Sequence, residues 1–144
     1  MAASAKTARW EHFEHAADIG VRGIAASKAG AFEQAALALS AVIADPARVA
    51  PLIRVEIECE GQDDEMLLVR WLNALVYEMA VRSMLFSRFD VAINRSRLRA
   101  VASGEPISVQ RHRPAVEVKG ATFTALHVAQ GSDGQWTAQT VVDV

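Results

Sequence analysis

Cysteine is almost absent from this chain of 144 residues, with Cys59 the only one. An internal disulfide is therefore excluded, and so is a zinc site built on paired thiolates. No run approaches the roughly 18 apolar residues that span a bilayer. The segment ahead of Trp10 lacks the apolar stretch of a secretory signal. These two absences predict a soluble, cytoplasmic protein with no membrane partner. Glycine-rich dinucleotide loops, P-loops and G-x-S-x-G elbows are missing as well, which weighs against a self-contained enzyme. A net charge of −2 at pH 7 offers no overall attraction to nucleic acid.

What remains is enough for one core. Hydrophobic residues make up 51% of the chain and charged residues 22%, proportions that fit a single globular domain. Residues 1–9 carry no periodicity and read as a disordered tail before a domain spanning 10–144. Charge is unevenly spread, with 12 acids against 7 bases over residues 1–78 and 5 against 8 over 79–144. One half suits a basic partner and the other an acidic one.

Alternation predicts a strand from Trp10, a break at Ala16-Ala17-Asp18, and a second strand over Ile19 to Ile24. Ser27 is a good N-cap for a helix over Lys28–Ala44, which Asp45-Pro46 must end. Residues 53–60 set Ile53, Val55, Ile57 and Cys59 against charged neighbours, the pattern of a strand with one wet face. Cys59 is expected to be a buried thiol whose pKa the flanking glutamates raise. Asp63, Asp64 and Glu65 suit a helix start, and the stripe from Leu67 through Trp71 to Ala80 is amphipathic helix. The remainder reads as strands over Leu85–Ile93, Leu98–Gly104, Val116–Val128, and Gln135 to the last residue. In the third of these, Glu117, Lys119 and Ala121 share a polar face, while Val116, Val118 and Gly120 pack. Two helices and six or seven mostly antiparallel strands give an α+β fold, with the helices on one face of a sheet.

Three local features carry chemistry. In Glu11-His12-Phe13-Glu14-His15-Ala16-Ala17-Asp18-Ile19-Gly20, the groups His12, His15 and Asp18 are metal-ligand types, although strand alternation sends the two histidines to opposite faces. At the other end, Asp143 and the carboxyl group of Val144 concentrate the oxygen ligands that Ca²⁺, Mn²⁺ or Mg²⁺ prefer. Between them, seven arginines (Arg82, Arg88, Arg95, Arg97, Arg99, Arg111 and Arg113) and His112 offer forks for phosphate. Their alternation in 95–99, with no interleaved aromatics, favours a solvated hairpin face over an RNA platform.

Glu14-His15-Ala16-Ala17-Asp18-Ile19-Gly20 resembles the E-H-T-A-D-I-G opening of the archease family. Further landmarks follow in order: Ala31-Phe32-Glu33-Gln34-Ala35-Ala36, Trp71-Leu72-Asn73-Ala74-Leu75, Leu85-Phe86-Ser87-Arg88-Phe89 and Gly104-Glu105-Pro106. Arg111-His112-Arg113-Pro114, Glu117-Val118-Lys119 and Val141-Val142-Asp143-Val144 complete the set. The resemblance implies a small α+β protein built on a strand-helix-strand-strand module with an insertion. It implies a non-catalytic accessory factor of an RtcB-type RNA ligase, which joins a 3′-phosphate or 2′,3′-cyclic phosphate to a 5′-hydroxyl in tRNA splicing and RNA repair. Such a factor promotes guanylylation of the ligase and repeated turnover, so GTP and RNA reach it only through the ligase. It also implies a divalent cation held by Asp18, Asp143 and Val144, with Lys119 on the same surface and His15 a further candidate. The chain departs from the pattern at Ala16, where the family has threonine, at Thr124 in place of a histidine, and at Ala115 in place of a basic residue. A stand-alone metal-dependent phosphohydrolase or nucleotidyl-handling enzyme using Asp18 and Asp143 is the alternative from a different class, and an RNA-binding module using the arginines is a third.

Overall fold

The computed structural model describes residues 7–144. Strands β1 (Arg9–His15) and β2 (Asp18–Ala25) form an antiparallel hairpin closed by Ala16-Ala17. The tail expected over residues 1–9 falls largely on residues 1–6, outside the described residues. Arg9 already opens β1, opposite Ile24.

Ser27 starts α1 (Lys28–Ile43) by accepting the Gly30 N–H on its hydroxyl at 3.0 Å. A 3₁₀ turn at Pro46–Arg48, capped by Asp45, leads to β3 (Ile53–Glu60). Asp63 then caps α2 (Asp64–Arg82) by accepting the Met66 N–H at 2.8 Å. Strands β4 (Met84–Asn94) and β5 (Arg97–Pro106) form a second hairpin, followed by the short helix α3 (Val109–His112). The chain ends in β6 (Gly120–Ala121), β7 (His127–Gln130) and β8 (Trp136–Asp143).

The fold is α+β, and every strand pair is antiparallel. The described strands divide into two sheets rather than one. The first runs β1-β2-β8-β6, with β7 also on β8, and the second runs β3-β5-β4. Helix α1 lies against β2 and β8 of the first sheet and β4 of the second, and α2 likewise touches strands of both. Trp71 joins the helices by donating its indole N–H to the Phe32 carbonyl at 3.0 Å, and its ring meets Phe89 edge-on. Among the described residues no helix is long and apolar enough to cross a membrane.

The single strand expected over Val116–Val128 is broken into β6, an irregular loop and β7. Hydroxyl groups bond beside the backbone there: Thr122 Oγ1 donates to the Val141 carbonyl at 2.8 Å, next to the Thr122 N–H at 2.9 Å, and Thr140 Oγ1 donates to the Thr122 carbonyl at 2.6 Å. Residues 113–119 form no strand, and Val116 is exposed rather than packed, although Val118 is buried and Lys119 faces outward. Helix α3 has no counterpart in the sequence reading, because it depends on a buried partner described below.

Candidate metal centre

The candidate residues converge through strand register. In the β2–β8 ladder the terminal pair is Ile19 with Val142, so one further step sets Asp18 against Asp143. Across the β1–β2 hairpin, His15 is paired with Asp18, and on the far side of β8, Gly120 is paired with Asp143. Directly opposed residues of antiparallel strands share a face. His15, Asp18 and Asp143 therefore form one row across three strands at the end of the sheet. The Val144 N–H donates to Asp18 Oδ1 at 3.3 Å, which ties the last residue to the start of β2. The Lys119 N–H donates to the Asp143 carbonyl at 2.8 Å, so Lys119 enters the same end of the sheet through its backbone while its side chain stays exposed.

Two carboxylates side by side on neighbouring strands repel one another. A hard divalent cation removes that repulsion, and carboxylate, carbonyl and carboxyl oxygens are the donors such an ion prefers. Among the described residues no group of three or more His, Cys, Asp or Glu side chains is placed to hold a metal. The donor set thus fits a cation only with the two aspartates supplemented by non-side-chain oxygens, and the Val144 N–H bond to Asp18 brings that residue beside them.

His12 does not join the row. Its Nε2 donates to the Ala38 carbonyl of α1 at 2.7 Å, on the opposite face of β1 from His15. The outer face also explains the glycine that ends the opening motif. The Phe13 ring lies flat across Gly20, where a Cβ would come within 1.9 Å of Phe13 Cε1. Beyond it, Arg22 stacks its guanidinium over Phe13 at 4.6 Å, donates to Glu11 Oε1 at 2.6 Å and donates to Gln139 Oε1 at 2.8 Å. Phe13 and Gly20 separate this polar ladder from the aspartate row.

Asn73 is a residue of this surface that spacing did not single out. Its Oδ1 accepts the Ala121 N–H at 2.8 Å and so docks β6 on α2. A single amide side chain between Leu72 and Ala74 was the available signal. Next to it, a groove of about 770 Å³ runs between α2 and residues 114–119, lined by Val76, Met79, Ala80 and Val116 and reaching Lys119.

Five of the seven arginines in the stretch form ion pairs within the fold. Arg82 pairs with Glu78, Arg88 with Asp90, Arg97 with Glu60, Arg99 with Glu58, and Arg111 with Glu105. Arg97 and Arg99, exposed and paired from β5 to β3, lie on the solvated hairpin face that alternation suggested. Cys59 is half-buried rather than fully buried, and desolvation pushes its pKa up to about 11, with Arg70 pulling the other way. The cause is burial, not the neighbouring glutamates.

The family model described as the Archease protein family (MTH1598/TM1083) matches residues 10–144. The protein named archease from Pyrococcus furiosus is 38% identical over 140 residues, covering 94% of this chain and 99% of that relative. Its counterpart from Pyrococcus abyssi is 39% identical with the same coverage. Among solved structures, protein 1598 of Methanobacterium thermoautotrophicum superposes with a TM-score of 0.82 at 30% identity, covering 94% of this chain and 98% of its own. An archease of Thermotoga maritima, described as a possible chaperone, gives a TM-score of 0.57 at 14% identity over 92% of this chain and 94% of its own, a likeness of fold alone. Sequence, fold and near-complete coverage agree: this chain belongs to the archease family.

Proposed function

We propose that this protein is a non-catalytic accessory factor of an RtcB-type RNA ligase, promoting ligase guanylylation and repeated turnover through a cation-bearing end of its first sheet. The observation that carries this reading is the row of Asp18 and Asp143, opposed by register and tied to Val144. When bound, a divalent cation would supply a positive centre for phosphate or carboxylate oxygens. Asp18, Asp143 and Val144 would hold it, Ca²⁺, Mn²⁺ and Mg²⁺ all suiting such donors. Lys119 would present an ammonium beside that centre, and His15 a further polar group on its flank. Nothing in the row provides an activated nucleophile paired with an orienting base, so the acceleration belongs to the ligase.

The test is ligation of RNA bearing a 3′-phosphate and a 5′-hydroxyl, at limiting ligase with GTP and Mn²⁺. Added protein should raise the number of turnovers per ligase, and Lys119→Ala and Asp143→Asn should lose most of that gain while melting normally. Hydrolysis of phosphate esters by this protein alone, without ligase, would instead favour the stand-alone enzyme. No stimulation of any ligase of this type would reject the proposal.

A further inference from the structure

The stretch from Ile107 to Lys119 joins β5 to β6 through one short helix and no strand. It walls the apolar groove and delivers Lys119 to the aspartate row. Three backbone bonds attach it elsewhere: Ile107 N–H to the Ser83 carbonyl at 2.9 Å, Ala115 N–H to Ile43 at 2.8 Å, and Lys119 N–H to Asp143 at 2.8 Å. Its one fully buried polar side chain is His112, with 0% of the side chain exposed.

Both ring nitrogens of His112 are committed. Nδ1 accepts the Ser108 N–H at 2.8 Å, so Nδ1 carries no proton and Nε2 must. Nε2 then donates to Glu105 Oε2 at 2.9 Å. The same carboxylate oxygen accepts the Ala50 N–H at 2.9 Å, and Arg111 Nη2 lies 3.4 Å from the other oxygen. The Ala50 N–H first, and His112 second, hold the Glu105 carboxyl below its ordinary range. Glu105 therefore remains a charged acceptor throughout the range in which histidines change state.

With a neutral imidazole every polar group in this cluster is satisfied. A second ring proton has to be placed on Nδ1, where the Ser108 N–H already points. Two donors would then face each other, which forfeits a part-buried hydrogen bond and leaves the ring N–H of a buried imidazole unsatisfied. Attraction between the imidazolium and Glu105 runs through Nε2 and does not require the Ser108 contact. The strain therefore falls on Ser108, whose hydroxyl also accepts the Arg111 N–H at 3.3 Å and starts α3. The remaining charged groups near the ring, Asp45, Arg48 and Arg113, share a cavity wall with it and make no bond to it.

We propose that His112 is a proton-sensitive anchor, holding Ser108 to Lys119 against the core while neutral and loosening that segment when protonated. The device belongs to the chain itself and needs no ligase. Amide hydrogen exchange on the full chain, followed residue by residue from about pH 8 to about pH 5 and corrected for intrinsic exchange, tests it. The Ser108, Ala115 and Lys119 amides should lose protection by roughly tenfold, while β2 and α2 keep theirs. His112→Asn keeps an oxygen positioned to accept from Ser108 but cannot be protonated, and its exchange should be flat over the same range. A wild type as flat as His112→Asn, or a loss of protection shared equally by β2 and α2, would overturn the proposal. Should His112→Asn fail to fold, the ring nitrogen shifts of the wild type decide. A proton on Nε2 at high pH is required, and one on Nδ1 would refute the anchor.

Discussion

Ala16 occupies a conformation that L residues enter at a cost, with φ of 53° at the first position of the hairpin turn before Asp18. A two-residue hairpin needs positive φ there to match the twist of its strands. Ala16→Gly should therefore stabilise the fold by about 0.5 to 1 kcal/mol, part of the relief being offset by the greater freedom of glycine in the unfolded chain. Chemical denaturation would show it as a higher midpoint with an unchanged slope. Glu33 offers a second test, with the sign set by linkage. Burial raises its pKa, the Val91 N–H bonded to Oε2 at 2.8 Å lowers it, and the charge of Asp90 raises it further. A carboxyl whose folded pKa lies above its unfolded value destabilises the native state at neutral pH, and that penalty fades as pH falls through the folded pKa. Glu33→Gln should accordingly be more stable than wild type at neutral pH, and the gap should close on acidification in paired thermal melts.

Elements differ in how far the sequence discloses them. Helix α2 and strand β3 are legible because their order is local: a capping aspartate, an apolar stripe, and strict alternation from Val55 to Cys59. The stretch from Ile107 to Leu126 is not, because its conformation rests on partners far away in sequence. Thr122 answers to Val141, Ala115 to Ile43 and His112 to Glu105. The candidate site was legible as residue types, through the aspartates of the opening and closing motifs. Their adjacency required the β2–β8 register, which no local pattern specifies. Gly20 belongs to the same lesson, since its need for a bare Cα comes from the Phe13 ring on the next strand. Gly20→Ala should cost about 1 to 3 kcal/mol through overpacking. Phe13→Ala should absorb most of that cost in a double-mutant cycle, because removing the ring removes the clash. Additive losses would mean that the ring is not what excludes a side chain at Gly20.

At the scale of the molecule, the aspartate row closes a sheet in which β2, from the start of the chain, lies beside β8, from its end, so whatever binds there is coupled to global stability. A ligand that binds only the folded state stabilises it by RT ln(1 + [L]/Kd), about 2.7 kcal/mol at a hundredfold excess over Kd. For a chain of this length that is a rise in melting temperature of roughly 10 °C. Without divalent ions the sign differs. Asp18 still accepts the Val144 N–H, but the Asp143 carboxylate then adds only repulsion, so Asp143→Asn should match or slightly exceed wild type, by a few tenths of a kcal/mol. Titrating Ca²⁺ or Mn²⁺ should raise the wild-type melting temperature and leave Asp143→Asn and Asp18→Asn unmoved, so that the order of stabilities inverts as the ion is added. A purely structural role for the aspartates predicts variants less stable at every ion concentration, with no inversion. An equal rise in all three proteins would place the ion elsewhere on the surface. The crossing of the curves is what separates a cation site from a pair of charges that merely end two strands.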